Sequence, residues 1–90
     1  MPTIRIPAPL RALTDDRAEL TVDGTTVAEV LDALTAAHPA TAERIRRDDG
    51  RLHRFVNVFV GDDDVRDLQG LATRLDDDDV VAIVPAVAGG

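Results

Sequence analysis

The stretch Thr26-Val27-Ala28-Glu29-Val30-Leu31-Asp32-Ala33-Leu34-Thr35-Ala36-Ala37-His38 decides how this chain folds. Thr26 and Glu29 stand at capping-box spacing, where a hydroxyl and a carboxylate satisfy open amide groups of a first helical turn. Val27, Val30, Leu31 and Leu34 fall at i, i+3, i+4 and i+7, one apolar helical stripe. A residue before proline is biased out of the helical region, so the helix is predicted to run to about His38 and stop before Pro39. Ala40 to Arg47 reads as a second, short helix carrying Ile45, ended by Asp48-Asp49-Gly50.

Strand signals flank this helix. Thr3-Ile4-Arg5-Ile6 alternates and is ended by Pro7 and Pro9. Leu10 to Arg17 reads as a loop. Glu19-Leu20-Thr21-Val22 alternates again, which predicts a hairpin back onto the first strand, with Asp23-Gly24 as a turn. Phe55 to Val60 is the strongest strand: Val56, Val58 and Val60 point one way, Phe55, Asn57 and Phe59 the other. Gly61 to Asp64 turns the chain, Val65-Arg66 reads as a short edge strand, and Leu71 and Leu75 plug the core from a loop. Val80-Val81-Ala82-Ile83-Val84 is the last strand, stopped by Pro85, which has no N–H for a sheet ladder. Two neighbouring strands thus pair before one helix crosses the sheet. The β-grasp, or ubiquitin-like, fold meets that order: an α+β domain with a mixed sheet of four to five strands and one main helix on one face. A ferredoxin-like split needs two substantial helices, and only one is present.

Ninety residues make one domain. The expected division is 1–84 for the β-grasp domain and 85–90 for a flexible C-terminal Gly-Gly tail. With Phe55 and Phe59 the only aromatics, the core must be built from Val, Leu, Ile and Ala. A net charge of -7 and a pI near 4.5 argue against nucleic acid and anionic membranes as partners, and favour a basic groove on a protein. Cysteine is absent, so no disulfide, thiolate metal site or persulfide can be housed here. If this chain carries sulfur, the sulfur must sit on a carboxylate. Lysine is absent too, so chains cannot be branched through its own side-chain amines. No apolar segment of signal-peptide or membrane-span length is visible, which makes the cytoplasm the default.

The tail carries the candidate chemistry. Pro85 separates domain from arm, and Ala86, Val87, Ala88, Gly89 and Gly90 have little side chain to pack. Six extended residues reach roughly 20 Å at about 3.3 Å each, enough to enter a narrow active site on another protein. Gly90 has no Cβ to shield its carbonyl carbon, and Gly89 lets the backbone approach catalytic groups closely. A second candidate is a docking face. Phe59 and Val84 fall on the alternation opposite to Val58, Val60 and Ile83, so they form an apolar patch beside the tail. The plainer reading has Phe59 pack against the loop from Pro7 to Leu13.

The stretches Leu52-His53-Arg54-Phe55-Val56-Asn57-Val58 and GLATRLDDDDVVAIVPAVAGG, Gly70 to Gly90, resemble the ubiquitin-like sulfur-carrier family that includes MoaD, ThiS and CysO, and are closest to the CysO type. The resemblance covers essentially the whole chain, and its specific part is the last third. It implies that the Gly90 carboxylate is adenylated by an E1-like adenylyltransferase/sulfurtransferase using ATP with magnesium. A sulfur donor then displaces AMP to leave a thiocarboxylate. In the CysO type this attacks an aminoacrylate on a pyridoxal-phosphate-dependent cysteine synthase, and a metalloprotease releases the product. The resemblance also places Pro7 with Phe59 and Val84 on the uncovered sheet face that meets the activating enzyme. The carrier is then a protein substrate, not an enzyme, and binds no cofactor of its own. Molybdopterin (with a molybdopterin synthase large subunit as partner) and thiamin are alternative destinations. A protein modifier forming isopeptides through its C-terminus, and a β-grasp interaction module with an incidental tail, are the other classes. The family usually has glycine where Asp78 stands, so a positive φ there would strain this turn.

Other features have plain explanations. The Asp76 to Asp79 run lacks the glycine and distal glutamate of a calcium loop, and reads as a solvated acidic loop. His38 and His53 have no metal-ligand spacing, and no metal site is expected. Serine and cysteine nucleophiles are both missing.

Overall fold

The helix begins where its caps place it. In the computed structural model, which describes residues 1–85, α1 spans Val27–Ala37 with Thr26 as its N-cap in extended conformation. The Glu29 N–H donates to Thr26 Oγ1 at 3.2 Å. The reciprocal half of the capping box reaches one residue further back: Glu29 Oε1 accepts from Thr25 N at 2.7 Å and from Thr25 Oγ1 at 3.0 Å. The open Val27 N–H at the helix start is taken by the Thr73 carbonyl at 3.0 Å, and the Leu75 N–H donates to the Thr25 carbonyl at 2.9 Å. The loop before the last strand is thereby stitched to the helix start. Gly24 closes the turn ahead of it with φ +154°, and a Cβ there would lie 2.9 Å from Val30 Cγ2 and 3.0 Å from Val30 N. Only glycine fits against the first turn in that position.

The bonds from Thr25 hold the Glu29 carboxylate below its ordinary value, the backbone bond first and the hydroxyl second. A folded-state value depressed below the unfolded one stabilises the fold above the unfolded value, and that contribution disappears as pH falls through the folded value. Stability measured by urea unfolding is therefore expected to decline on acidification below the ordinary glutamate range. Glu29→Gln should flatten part of that slope; an unaltered slope would mean the Thr25 contacts carry no proton linkage.

Five strands form one mixed sheet in the order β2-β1-β5-β3-β4. They are β1 (Thr3–Arg5), β2 (Glu19–Thr21), β3 (Val56–Val60), β4 (Asp63–Asp64) and β5 (Val80–Pro85). β1 pairs parallel with β5, and all other neighbours are antiparallel. This is the β-grasp arrangement, with α1 covering one face. Ile4 of β1, Val56 and Val58 of β3, and Val81 and Ile83 of β5 meet Val27, Val30, Leu31 and Leu34 of α1 in a single buried cluster. Ile6, Leu10, Ile45, Val65 and Leu75 complete it. No aromatic ring takes part in that buried set. Each fully buried aliphatic side chain of this kind contributes about 1.5–3 kcal/mol.

Several boundaries differ from expectation. The loop after Pro7 is a short 3-10 helix, Ala8–Leu13, which buries Leu10 and is tied to β1 by Arg11 Nε donating to the Ile6 carbonyl at 3.0 Å. The second helix divides into a 3-10 turn, Pro39–Thr41, and α2, Ala42–Ile45. The edge strand is β4, two residues earlier than Val65-Arg66. Val65 opens a 3-10 turn instead, because its side chain is fully buried and Asp64 Oδ1 accepts from the Arg66 N–H at 2.9 Å. Pro85 does not stop the last strand before itself. It is the final residue of β5, opposite Val56, since a proline at a strand end needs only its carbonyl and its extended φ. The domain thus extends one residue past the 84/85 boundary. Positive φ occurs at Asp15 and Asp16, not at Asp78, so the turn before β5 asks nothing of Asp78 that only glycine could give.

Candidate functional site

The uncovered sheet face is set by strand alternation. With Val81 and Ile83 turned to α1, Val80, Ala82 and Val84 face the other way. With Val56 and Val58 buried, Asn57 and Phe59 do the same on β3. Register then places neighbours. Phe59 stands opposite Ala82 on β5 and Asp64 on β4, and Asn57 stands opposite Val84, so Phe59 and Val84 are diagonal neighbours on one face. Arg5 stands between Ala82 and Glu19. Pro7 follows two residues after Arg5 and lines a shallow depression of about 300 Å³ with Val84 and Pro85. The three docking residues read from the sequence are therefore brought onto one face.

The face is apolar at its centre and charged around it. Val84 is 41% exposed, Val80 is exposed, and Phe59 and Pro7 are half-buried. Arg66 borders the face on the β3 side: Nη1 donates to Asn57 Oδ1 at 2.9 Å and Nη2 to the Val56 carbonyl at 3.1 Å. Arg5 and Ala82, paired in the register of β1 against β5, also belong to this surface, and Arg66 reaches its border from the turn after β4.

Pro85 is the last of the described residues. It sits at one end of β5, between the depression just described and a groove on the helical side. Ala86, Val87, Ala88, Gly89 and Gly90, the residues expected to carry the chemistry, lie outside the described residues. Among the described residues no group of three or more His, Asp or Glu converges as a metal site. Asp79 Oδ2 instead closes its own turn on the Asp76 N–H at 2.7 Å, and Asp77 pairs with the N-terminal amine at 3.3 Å. His38 caps the C-terminus of α1. His53 lies against Phe55, ring centroids 5.5 Å apart. No helix among the described residues is long and apolar enough to cross a membrane.

A five-stranded β-grasp domain with one bare apolar sheet face defines a ubiquitin-like protein. Residues 4–90 match the ThiS family, and the chain belongs to it and so to the ubiquitin-like sulfur carriers. Sulfur carrier protein CysO of Mycobacterium tuberculosis is 43% identical over 90 residues, spanning 98% of this chain and 97% of that protein. A chain of the Amycolatopsis orientalis BexX/CysO complex superposes with a TM-score of 0.92 at 39% identity, with 100% of both chains covered. Small archaeal modifier protein 3 of Haloferax volcanii is 43% identical over 68 residues, 76% of this chain and 73% of that one.

Proposed function

We propose that this chain carries sulfur on its terminal Gly90 carboxylate and delivers it to a biosynthetic enzyme, with cysteine as the product. One observation carries the reading. The central strand of the sheet, β5, runs out at Pro85 beside the apolar face, immediately ahead of Ala-Val-Ala-Gly-Gly. A carboxylate is a poor electrophile and must be activated. Its oxygen attacks the α-phosphorus of ATP held by an adenylating partner, pyrophosphate leaves, and a mixed anhydride results. Hydrosulfide-level sulfur then attacks the carbonyl carbon, AMP leaves with the C–O bond, and a proton is released. The thiocarboxylate stays ionised and serves as the nucleophile of the next step. No part of this asks the carrier for a base, a metal or a cofactor, so its role is that of a protein co-substrate.

Intact-mass analysis of the chain isolated from its native host tests the reading. The expected species is heavier than the unmodified chain by the sulfur-for-oxygen difference, and it reverts on treatment with alkylating reagent followed by hydrolysis. Its absence in cells making cysteine by this route would sink the proposal. The similarity to small archaeal modifier protein 3 favours a second reading, in which the activated carboxyl forms an isopeptide with a lysine of another protein. Conjugates of higher mass, with no thiocarboxylate, would select it.

Docking through the bare face is part of the same proposal. Phe59→Asp removes an apolar anchor from a half-buried position outside the core. The variant should fold normally and show kcat/KM for adenylation reduced by about tenfold or more, the usual scale for an interface aromatic. A folded variant adenylated at the normal rate would remove Phe59 from the interface.

A further inference from the structure

The chain's two aromatic side chains both lie outside the core, and only one of them is on the bare sheet face. Phe55, expected on the same face as Asn57 and Phe59, precedes β3 and so escapes its alternation: it is 48% exposed on the helical side, where it forms a wall of a groove of about 260 Å³. Pro9, Leu10, Val56, Ile83 and Pro85 supply apolar surface to that groove, and Arg44 and His53 supply its polar rim. Glu43 is the one acid on its wall.

The segment that supplies Arg44 and His53 to this groove is opposite in net charge to the molecule. Arg44 to Arg54 holds five of the chain's ten arginines and only two acids, Asp48 and Asp49, a segment of net +3 in a chain of net -7. Local pairing consumes part of this charge: Arg46 is bridged to Asp32, and Arg47 Nη2 lies 3.7 Å from Asp49. Arg44, Arg51 and Arg54 are exposed and make no ion pair among the described residues. Outside this segment acids outnumber arginines, with runs at Asp62 to Asp64 and Asp76 to Asp79.

We propose that this groove is a second docking site, and that its occupant is an acidic segment of a partner protein projecting an apolar side chain onto Phe55. An exposed aromatic at the wall of an apolar groove is a contact that association makes energetically useful, and Arg44 on its rim, which opens the net positive segment 44–54, selects the sign of what approaches. Pro85, the last of the described residues, lines the groove. The identity of the partner as the enzyme that receives the tail rests on the sulfur-carrier reading; the groove's preference for acidic, apolar-tipped segments does not.

The test uses the full chain and two synthetic peptides, Glu-Asp-Leu-Glu-Asp and Lys-Arg-Leu-Lys-Arg, both blocked at their ends. In amide-detected NMR titrations the acidic peptide should shift Arg44, His53 and Phe55, with an affinity that falls as salt is raised, and the basic peptide should leave them unmoved. Phe55→Ala and Arg44→Glu should each weaken the acidic peptide by about tenfold, while Phe59→Asp on the other face should not. Equal response to both peptides, no response at millimolar peptide, or shifts confined to the sheet face would each overturn the proposal. Contacts between Val87 methyls and the Phe55 ring in the peptide-free chain would assign the groove to the chain's own end, and would also overturn it. With the adenylating partner, Arg44→Glu should raise KM for the carrier and leave kcat unchanged. If the wild-type chain is never adenylated, the carrier reading fails, and the peptide result still decides the groove.

Discussion

Deleting Gly90 is expected to abolish thiocarboxylate formation, by at least about a hundredfold in rate, while thermal unfolding stays where it was. The two halves of that expectation have separate causes. Among the described residues the buried cluster runs from Ile4 to Ile83 and the last sheet pair is Val56 with Pro85, and a glycine has no side chain to add to such a core. The reacting carboxyl, in contrast, retreats by one residue, about 3.3–3.6 Å. Reacting atoms must be held within about 3–3.5 Å of one another, and a misplacement of only 1 Å can cost about a hundredfold. A one-residue retreat therefore takes the carbonyl carbon out of the partner's reach. Pyrophosphate exchange and intact mass measure the first half, calorimetry the second. A shortened chain that acquires sulfur at the normal rate would show that the terminal residue has no special place in the reaction, and a merely interacting β-grasp module would keep its function altogether.

Leu31→Ala is expected to cost about 2–5 kcal/mol of folding stability. Leu31 is fully buried in the middle of the α1 stripe, and the cluster around it contains no large ring whose movement could refill the space. A domain of this size has about 5–15 kcal/mol in total, so the variant should sit near the edge of folding at 37 °C. Val84→Ala offers the contrast. It removes a comparable amount of hydrocarbon from an exposed position on the bare face, and should shift stability by no more than about 0.5 kcal/mol. Urea unfolding of both variants gives the comparison directly; equal losses would mean that the bare face is as tightly packed as the core.

Much of the fold was legible because its main signals are strong and local. The α1 stripe and its cap lie within a dozen residues, and the alternation in Val56 to Val60 and Val80 to Val84 assigns each side chain a face. The alternation set Phe59 and Val84 opposite the core residues, the family resemblance placed them on the uncovered face, and the register makes them diagonal neighbours. What escaped were features set by tertiary contacts. Asp63-Asp64 has poor strand propensity and pairs only because the hairpin from β3 brings it there. The stretch from Ala8 to Leu13 has no helical period, and becomes a 3-10 helix because Leu10 must reach the core and Arg11 holds the Ile6 carbonyl. The groove at Phe55 was invisible for a similar reason. It is assembled from the 3-10 helix, α2, the loop before β3 and the end of β5, four places far apart in sequence. The arginine content of 44–54 was in plain view, but that Arg44 shares a groove with Pro85 depended on the fold.

The parallel pairing of β1 with β5 has a mechanical consequence. The two outermost strands of the sequence lie side by side at the middle of the sheet, pointing the same way, so a pull applied between the two chain ends loads their ladder in shear. Bonds arranged along such a seam must yield together, unlike those at a peeling edge, which yield one after another. The five antiparallel pairs between β3 and β5 brace the same strand from its other side. If the carrier reading proposed above holds, a tail drawn into a partner's tunnel and later withdrawn would load a seam that does not unravel.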